Sequence, residues 1–133
     1  MQTITMERKI VGVAAFMGMT AIILGAFGAH ALKNYLSIAQ LNTFETGVKY
    51  QMYNALFLGF LGTNPFLASK AKTIVFRLIV FGVIFFSGSL YLLATKNLSG
   101  INFKPIGIIT PIGGALLIGG WGLLFWNMIK KKQ

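Results

Sequence analysis

The residues of this chain best suited to chemistry are a few polar side chains inside long apolar segments. Gln51 and Asn54 are three positions apart in one such segment, so on a helix they share a face. In a membrane, a polar side chain costs free energy unless it is paired, so these positions predict interhelical hydrogen bonds or a ligand contact. The candidate residues for such a polar network or ligand site are His30, Gln51, Asn54, Ser87, Ser89, Tyr91 and Thr110.

Simpler roles compete for some of these residues. A serine or threonine in a membrane helix usually bonds the carbonyl oxygen one turn back, which is the role we favour for Ser87 and Thr110. His30 is the only histidine, and a histidine can relay protons near neutral pH. A relay needs a carboxylate inside the membrane, whereas Glu7 and Glu45 lie outside or near the ends of the apolar segments. We therefore expect His30 to cap carbonyl groups at the end of the first apolar helix.

The rest of the composition excludes most catalytic and metal chemistry. The chain has no Cys and no Asp, which excludes disulfides, thiolate catalysis and a Ser-His-Asp triad. One His and two acidic residues are too few for a usual metal site within one chain. The glycine pair Gly113-Gly114 lacks the preceding strand and the lysine of a phosphate-binding loop. We expect no enzyme activity, no metal and no cofactor.

The apolar segments predict the fold. Of 133 residues, 56% are apolar and 11% are charged, whereas about 25% are charged in a soluble domain. A membrane-spanning helix needs about 20 apolar residues, and four segments qualify. They cover residues 10–29, 47–62, 74–94 and 106–129. We predict a single all-α transmembrane domain over residues 1–133, a polytopic four-transmembrane-helix bundle.

The connection between the first two spans has a helical pattern of its own. Ser37 and Gln40 have the spacing of a capping box, which predicts a helix beginning near Ile38. Apolar residues then recur at helical spacing through Phe44 and Val48. We predict an interfacial helical segment here, which could continue directly into the second span.

Small residues on three spans predict close helix packing. Helices in lipid associate largely where small side chains let their backbones approach. The positions are Ala14, Gly18, Ala21, Gly25 and Gly28 on the first span, Gly82 on the third, and Gly113 and Gly120 on the fourth. We favour packing within the bundle, and a seam between identical chains stays open. Pro111 predicts a kink in the fourth span, because proline removes a backbone hydrogen bond.

The charge balance predicts membrane orientation rather than nucleic-acid binding. The chain has twelve Lys and Arg residues and only two acidic residues, and the basic residues are scattered between apolar segments. With four spans, one side of the membrane receives eight of them, namely Arg8, Lys9, Lys70, Lys72, Arg77, Lys130, Lys131 and Lys132. The other side receives Lys33, Lys49, Lys96 and Lys104. This asymmetry predicts that both termini are cytoplasmic.

Several blocks of the sequence resemble a known family. They are Gly25-Ala26-Phe27-Gly28-Ala29-His30-Ala31-Leu32, Thr46-Gly47-Val48-Lys49-Tyr50-Gln51-Met52-Tyr53, Phe86-Ser87-Gly88-Ser89-Leu90-Tyr91-Leu92-Leu93, Ile109-Thr110-Pro111-Ile112-Gly113-Gly114 and Gly120-Trp121. In this order they resemble the domain-of-unknown-function 423 family of small integral membrane proteins, which is similar to the eukaryotic transmembrane protein 256. The resemblance implies a bacterial plasma-membrane protein with about four helices, and it implies no substrate, cofactor or catalytic residue.

Three functions fit these observations. The first is a non-enzymatic accessory or scaffold that packs through its small-residue helix faces against membrane lipids, further copies of itself or an unidentified membrane protein. The second is a subunit of an oligomeric small-molecule or ion transporter or channel. The third is a membrane-embedded binder of a lipid or a quinone, which is supported only by the single histidine and the aromatic content.

Overall fold

The computed structural model describes residues 5–96 and 104–130, which form helices and short connections with no strand among them. Four long α-helices follow one another: α1 (Met6–His30), α2 (Ile38–Thr63), α3 (Ser69–Ala94) and α4 (Ile109–Ile129). A short 3-10 helix, Leu32–Asn34, lies between α1 and α2, and a second, Lys104–Ile108, precedes α4. The all-α prediction is therefore confirmed for the described residues.

Three of these helices are long and apolar enough to cross a membrane. They are α1, α3 and the stretch Ile106–Ile129 that contains α4. Helix α2 has sufficient length, but its mean hydropathy is lowered by polar residues along its first half and by Gln51 and Asn54. The predicted span 47–62 is thus not among the helices that qualify on length and composition.

The first three helices begin earlier than the corresponding apolar segments do. Helix α1 begins at Met6, where the Thr5 hydroxyl accepts a hydrogen bond from the Arg8 backbone N–H at 3.2 Å. Hydropathy alone misses such first turns because capping and charged residues occupy them. The predicted capping box is confirmed, since Ser37 and Gln40 each bond the other's backbone N–H. Helix α2 then continues without a break from Ile38 to Thr63, so the predicted interfacial segment forms its first turns.

The four helices pack antiparallel in chain order. Helix α1 packs against α2, α2 against α3, and α3 against α4. Along the first interface, Gly18 lies beside Ala55, Gly25 beside Val48, and Gly28 against the ring of Phe44. Ala14 and Ala21 are buried on the same side of α1. The small-residue positions of α1 therefore face α2 within the same chain.

Glycines on α3 and α4 let these two helices approach closely. Gly82 lies against Leu117, and Gly120 lies against Ile79. Gly113 faces the backbone of Phe85 and Phe86 so closely that an added Cβ would overlap it. Only glycine fits at this crossing without displacing one helix from the other.

The core is divided into two clusters along the helices. The larger cluster draws buried side chains from all four helices, among them Ile10, Leu58, Ile79 and Leu117. The smaller cluster lies where α1 ends, and it contains Leu32, Leu36, Phe44 and Ala94. Gln51 lies on α2 between the core residues of these two clusters.

Side-chain contacts join the start of α1 to the start of α3. Lys72 is only 5% exposed, and its Nζ lies 3.9 Å from Oε1 of Glu7. Ser69 donates a hydrogen bond to the same carboxylate at 3.4 Å. At the same end, Asn64 after α2 contacts Met128 near the end of α4. Of the basic residues predicted to share one side of the membrane, Arg8, Lys9, Lys70, Lys72 and Lys130 lie at this end of the molecule. Arg77 lies about two turns inside α3, and Lys131 and Lys132 lie outside the described residues.

Pro111 does not kink the middle of the fourth span as predicted. The chain is a 3-10 helix up to Ile108, and the α-helical pattern begins at Ile109. Pro111 therefore lies in the first turn of α4, where a backbone N–H has no partner within the helix. Because no α-helical bond is lost there, Pro111 marks the start of α4 instead of bending its middle.

We expect Gly113→Ala to destabilise the protein and Gly119→Ala to leave it as stable or more so. The added methyl at Gly113 meets the α3 backbone, whereas Gly119 has no atom within 4 Å of its Cβ position. Overpacking of this kind costs about 1–3 kcal/mol, while Ala exceeds Gly in helix propensity by about 1 kcal/mol. Thermal unfolding in detergent, followed by circular dichroism, measures both. Equal melting temperatures for the two variants would contradict the tight α3–α4 crossing.

Candidate functional site

The side-chain amide of Gln51 joins three helices. Gln51 is 7% exposed, and its Nε2 donates to the Met17 carbonyl oxygen at 2.9 Å and to the Thr20 hydroxyl at 2.7 Å. Its Oε1 accepts a hydrogen bond from the Tyr91 hydroxyl at 2.7 Å. Both amide hydrogens and one lone pair are thereby used, so Gln51 ties α2 to α1 and to α3.

Thr20 completes this arrangement on the α1 side. Its hydroxyl donates to carbonyl oxygens of its own helix, to Phe16 at 3.0 Å or Met17 at 3.1 Å. The hydroxyl is thus free to accept from Gln51. Sequence analysis did not single out Thr20. Its position among the small residues of α1 that face α2 is the feature of the sequence that could have identified it.

Ser87 makes an interhelical bond, in contrast to the local bond expected for it. Its hydroxyl donates to the Gly47 carbonyl oxygen on α2 at 2.7 Å. The expectation of a bond one turn back is wrong because Gly47 has no side chain to separate the helices. A Cβ on Gly47 would lie 3.3 Å from the Ser87 carbonyl oxygen and closer still to the Tyr91 ring. Ser87 and Tyr91 therefore both contact α2 at this glycine.

Ser89 and Thr110 join α3 to α4. Their hydroxyl oxygens are 2.6 Å apart. The Ser89 hydroxyl also donates a hydrogen bond to the Phe86 carbonyl oxygen at 2.8 Å. A hydroxyl has one hydrogen, so Thr110 is the donor in the pair when Ser89 bonds Phe86. Thr110, like Ser87, thus bonds another helix rather than its own.

Asn54 joins α2 to α4. It is 2% exposed, its Nδ2 donates to the Tyr50 carbonyl oxygen at 2.7 Å, and its Oδ1 accepts from Trp121 Nε1 at 3.0 Å. The Trp121 ring also contacts Phe57, with ring centroids 4.2 Å apart. Trp121 was missed as a member of the polar set, although an indole N–H at membrane depth needs an acceptor.

His30 is separate from these contacts. It is exposed at the last residue of α1, and its side chain makes no hydrogen bond to the described part of the chain. The predicted polar residues therefore form three interhelical joints rather than one network. These joints are Gln51 with Thr20, Tyr91 and the nearby Ser87; Asn54 with Trp121; and Ser89 with Thr110.

A lateral cleft opens between α2 and α4 beside the Asn54–Trp121 joint. Its volume is about 740 Å³. The lining is mostly apolar and aromatic, with Phe86 of α3 among the lining residues. Residues of its walls include Tyr50, Tyr53, Asn54, Phe86, Trp121 and Phe125. A cleft of this kind can accept a hydrophobic molecule from the surrounding bilayer.

The comparisons with known proteins identify the family. The family model described as protein of unknown function (DUF423) matches residues 24–114. This chain belongs to the DUF423 family. The matched region contains Gln51, Asn54, Ser87 and Tyr91, and with them most of the interhelical joints.

Curated relatives of this DUF423 protein are named as membrane proteins. A UPF0382 membrane protein of Staphylococcus saprophyticus is 44% identical over 116 residues, which cover 87% of this chain and 92% of the relative. A UPF0382 membrane protein of Haemophilus influenzae is 32% identical, with 96% and 99% covered. The UPF0382 inner membrane protein YgdD of Escherichia coli is 32% identical, with 90% and 88% covered. No solved structure matches the chain.

We expect a double-mutant cycle between Gln51 and Tyr91 to show coupling. Gln51→Leu leaves the half-buried Tyr91 hydroxyl without its acceptor, and Tyr91→Phe removes the donor from Gln51. Interhelical hydrogen bonds in membrane proteins contribute about 0.6–2 kcal/mol each, so Tyr91→Phe should lose about that much stability. Gln51→Leu should lose more, because it also breaks the bonds to Met17 and Thr20. The double variant should lose less than the sum.

Unfolding in mixed micelles of a denaturing and a mild detergent measures the four free energies. Tyr35→Phe is the matched control, because Tyr35 is 69% exposed and makes no side-chain hydrogen bond to a described residue. Strictly additive losses for Gln51→Leu and Tyr91→Phe would contradict a direct bond between the two side chains.

Proposed function

We propose that this DUF423 protein is a non-enzymatic membrane protein that acts as an accessory or scaffold through helix packing and lipid contacts. One observation supports this proposal most directly. In the part of the chain that the structure describes, every buried side-chain nitrogen and oxygen has a hydrogen-bond partner. Catalysis needs side chains that are free to exchange protons or attack a substrate, and the buried groups here are used to join helices.

The arrangement of the joints favours a packing role over a transport role. A polar route would need Gln51, Asn54, Ser89, Thr110 and His30 in one continuous line. Gln51 faces α1 and α3, Asn54 faces α4, and His30 lies at the exposed end of α1. Each bonded pair stabilises a helix contact, and within the described part of the chain these five side chains do not line one common path.

Helix α2 is proposed as the fourth membrane span. Its 26 residues extend about 39 Å, which exceeds the hydrocarbon thickness of about 30 Å. Gln51 and Asn54 lower its hydropathy, yet both are buried against neighbouring helices. Its exposed positions include the apolar Leu56 and Phe60, which suit contact with lipid.

The plasma membrane of a bacterium is the proposed location, with both termini cytoplasmic. The E. coli relative is named an inner membrane protein, and the other relatives are bacterial membrane proteins. The end of the molecule that holds Arg8, Lys9, Lys70 and Lys130 is the more basic one, which favours the cytoplasmic side. Lipids, a second copy of the chain or another membrane protein are the proposed partners.

Single-cysteine labelling tests the four-span topology. The natural chain has no Cys, so Tyr35→Cys and Phe66→Cys each introduce one thiol on a highly exposed residue at opposite ends of α2. In intact spheroplasts we expect an impermeant maleimide to label position 35, and position 66 only after permeabilisation. Equal labelling of both positions would contradict a membrane-spanning α2. Labelling of position 66 alone would keep the span and reverse the orientation.

Proteoliposome flux tests the packing role. We expect liposomes that contain the wild-type protein to retain potassium ions and protons as protein-free liposomes do, because the buried polar side chains among the described residues are all hydrogen-bonded. Gln51→Leu should lower the melting temperature and leave this retention unchanged. A wild-type flux that Gln51→Leu abolishes, while the variant stays folded at the assay temperature, would replace the scaffold proposal with the transporter.

A further inference from the structure

Two tyrosine hydroxyls in the α2–α4 cleft stand apart from the other polar groups of α2. Tyr50 and Tyr53 line the cleft and are 41% and 52% exposed. Neither hydroxyl makes a hydrogen bond to a described residue, whereas the Gln51 and Asn54 side chains on the same turns both donate and accept hydrogen bonds. The cleft therefore presents two free donors on an otherwise apolar surface.

The depth of these hydroxyls makes water an unsuitable partner. Tyr50 lies 12 residues after the first residue of α2, or about 18 Å along a helix about 39 Å long. If α2 spans the membrane, as proposed above, this places Tyr50 well inside the hydrocarbon layer. Lipid chains offer no acceptor there, and an unpaired hydroxyl in hydrocarbon is unfavourable.

The aromatic side chains around the hydroxyls form a fixed frame. The Tyr50 ring contacts Phe86 with centroids 4.8 Å apart, and it contacts Tyr53 with centroids 5.6 Å apart. Trp121 is held by its hydrogen bond to Asn54 and by Phe57. These contacts hold the Tyr50 and Trp121 rings in place without a ligand, which limits the ordering needed on binding.

We infer that this cleft binds a membrane-soluble ring compound of the quinone class. A flat ring suits the aromatic walls, its carbonyl oxygens can accept hydrogen bonds from Tyr50 and Tyr53, and a hydrocarbon tail can leave through the lateral opening. Gly122, which has no atom within 4 Å of its Cβ position, leaves room in the wall for the ring. A phospholipid chain would fill the apolar volume but leave both donors unpaired. The inference concerns binding and includes no redox step.

Quenching of Trp121 fluorescence tests the inference. Trp126→Phe leaves Trp121 as the single tryptophan, because the chain has only two. The probe is menadione, added to the protein in nanodiscs of phosphatidylcholine and phosphatidylglycerol. We expect saturable quenching. The double variant Tyr50→Phe/Tyr53→Phe should raise the dissociation constant about tenfold, because two hydrogen bonds are lost while the rings remain.

Two further variants control the measurement. Tyr35→Phe should leave the dissociation constant unchanged, since Tyr35 lies in the connection before α2. Gly122→Leu should abolish saturation by filling the cleft, and its melting temperature should stay close to that of the wild-type protein.

The inference is overturned if Trp121 quenching is linear, or if it saturates equally with and without the two hydroxyls. The cysteine-labelling experiment separates this failure from a failure of the topology. If position 35 and position 66 label on opposite sides and the quenching is linear, α2 spans the membrane and the cleft does not bind quinones. If they label on the same side, the depth argument for the hydroxyls fails, and the quinone inference fails with it.

Discussion

The hydrogen bonds of the Gln51 amide are the interaction on which the arrangement of the first three helices depends. In water, an exposed amide could exchange its partners for solvent, but an amide buried between helices must find them on its neighbours. Gln51 finds one partner set on α1 and another on α3. Rotation of α2 about its axis would break both sets at once, so this side chain fixes the face that α2 turns to each neighbour.

Glycine positions make such bonding geometrically possible. Ser87 reaches the carbonyl oxygen of Gly47 because α2 presents only a hydrogen atom at that point. Gly113 likewise lets the backbone of α4 lie directly against the backbone of α3. Since lipid supplies little hydrophobic drive between helices, close contact of this kind and the polar joints stabilise the bundle together.

How far the sequence predicts this structure differs from residue to residue. The helix start at Ile38 follows from Ser37 and Gln40, because a capping box depends only on residues three apart. That Gln51 needs interhelical partners follows from its polarity in an apolar segment. Its partner Thr20 does not follow, since it depends on the register between α1 and α2. The same limit made the expected local bond of Ser87 wrong and left Trp121 unrecognised beside Asn54.

A well-satisfied interior makes the unsatisfied groups informative. In a protein with many loose polar side chains, two free hydroxyls would mean little. Among the described residues here, the buried side-chain nitrogen and oxygen atoms are all paired, and Asn54 Nδ2 bonds the backbone carbonyl oxygen of Tyr50 itself. The side chains of Tyr50 and Tyr53 differ from these paired groups. Their rings contact aromatic neighbours, but their hydroxyls have no acceptor among the described residues. An acceptor on a bound molecule is the simplest partner for these two hydroxyls. For that reason a ligand should be sought in the cleft rather than at the Gln51 joint.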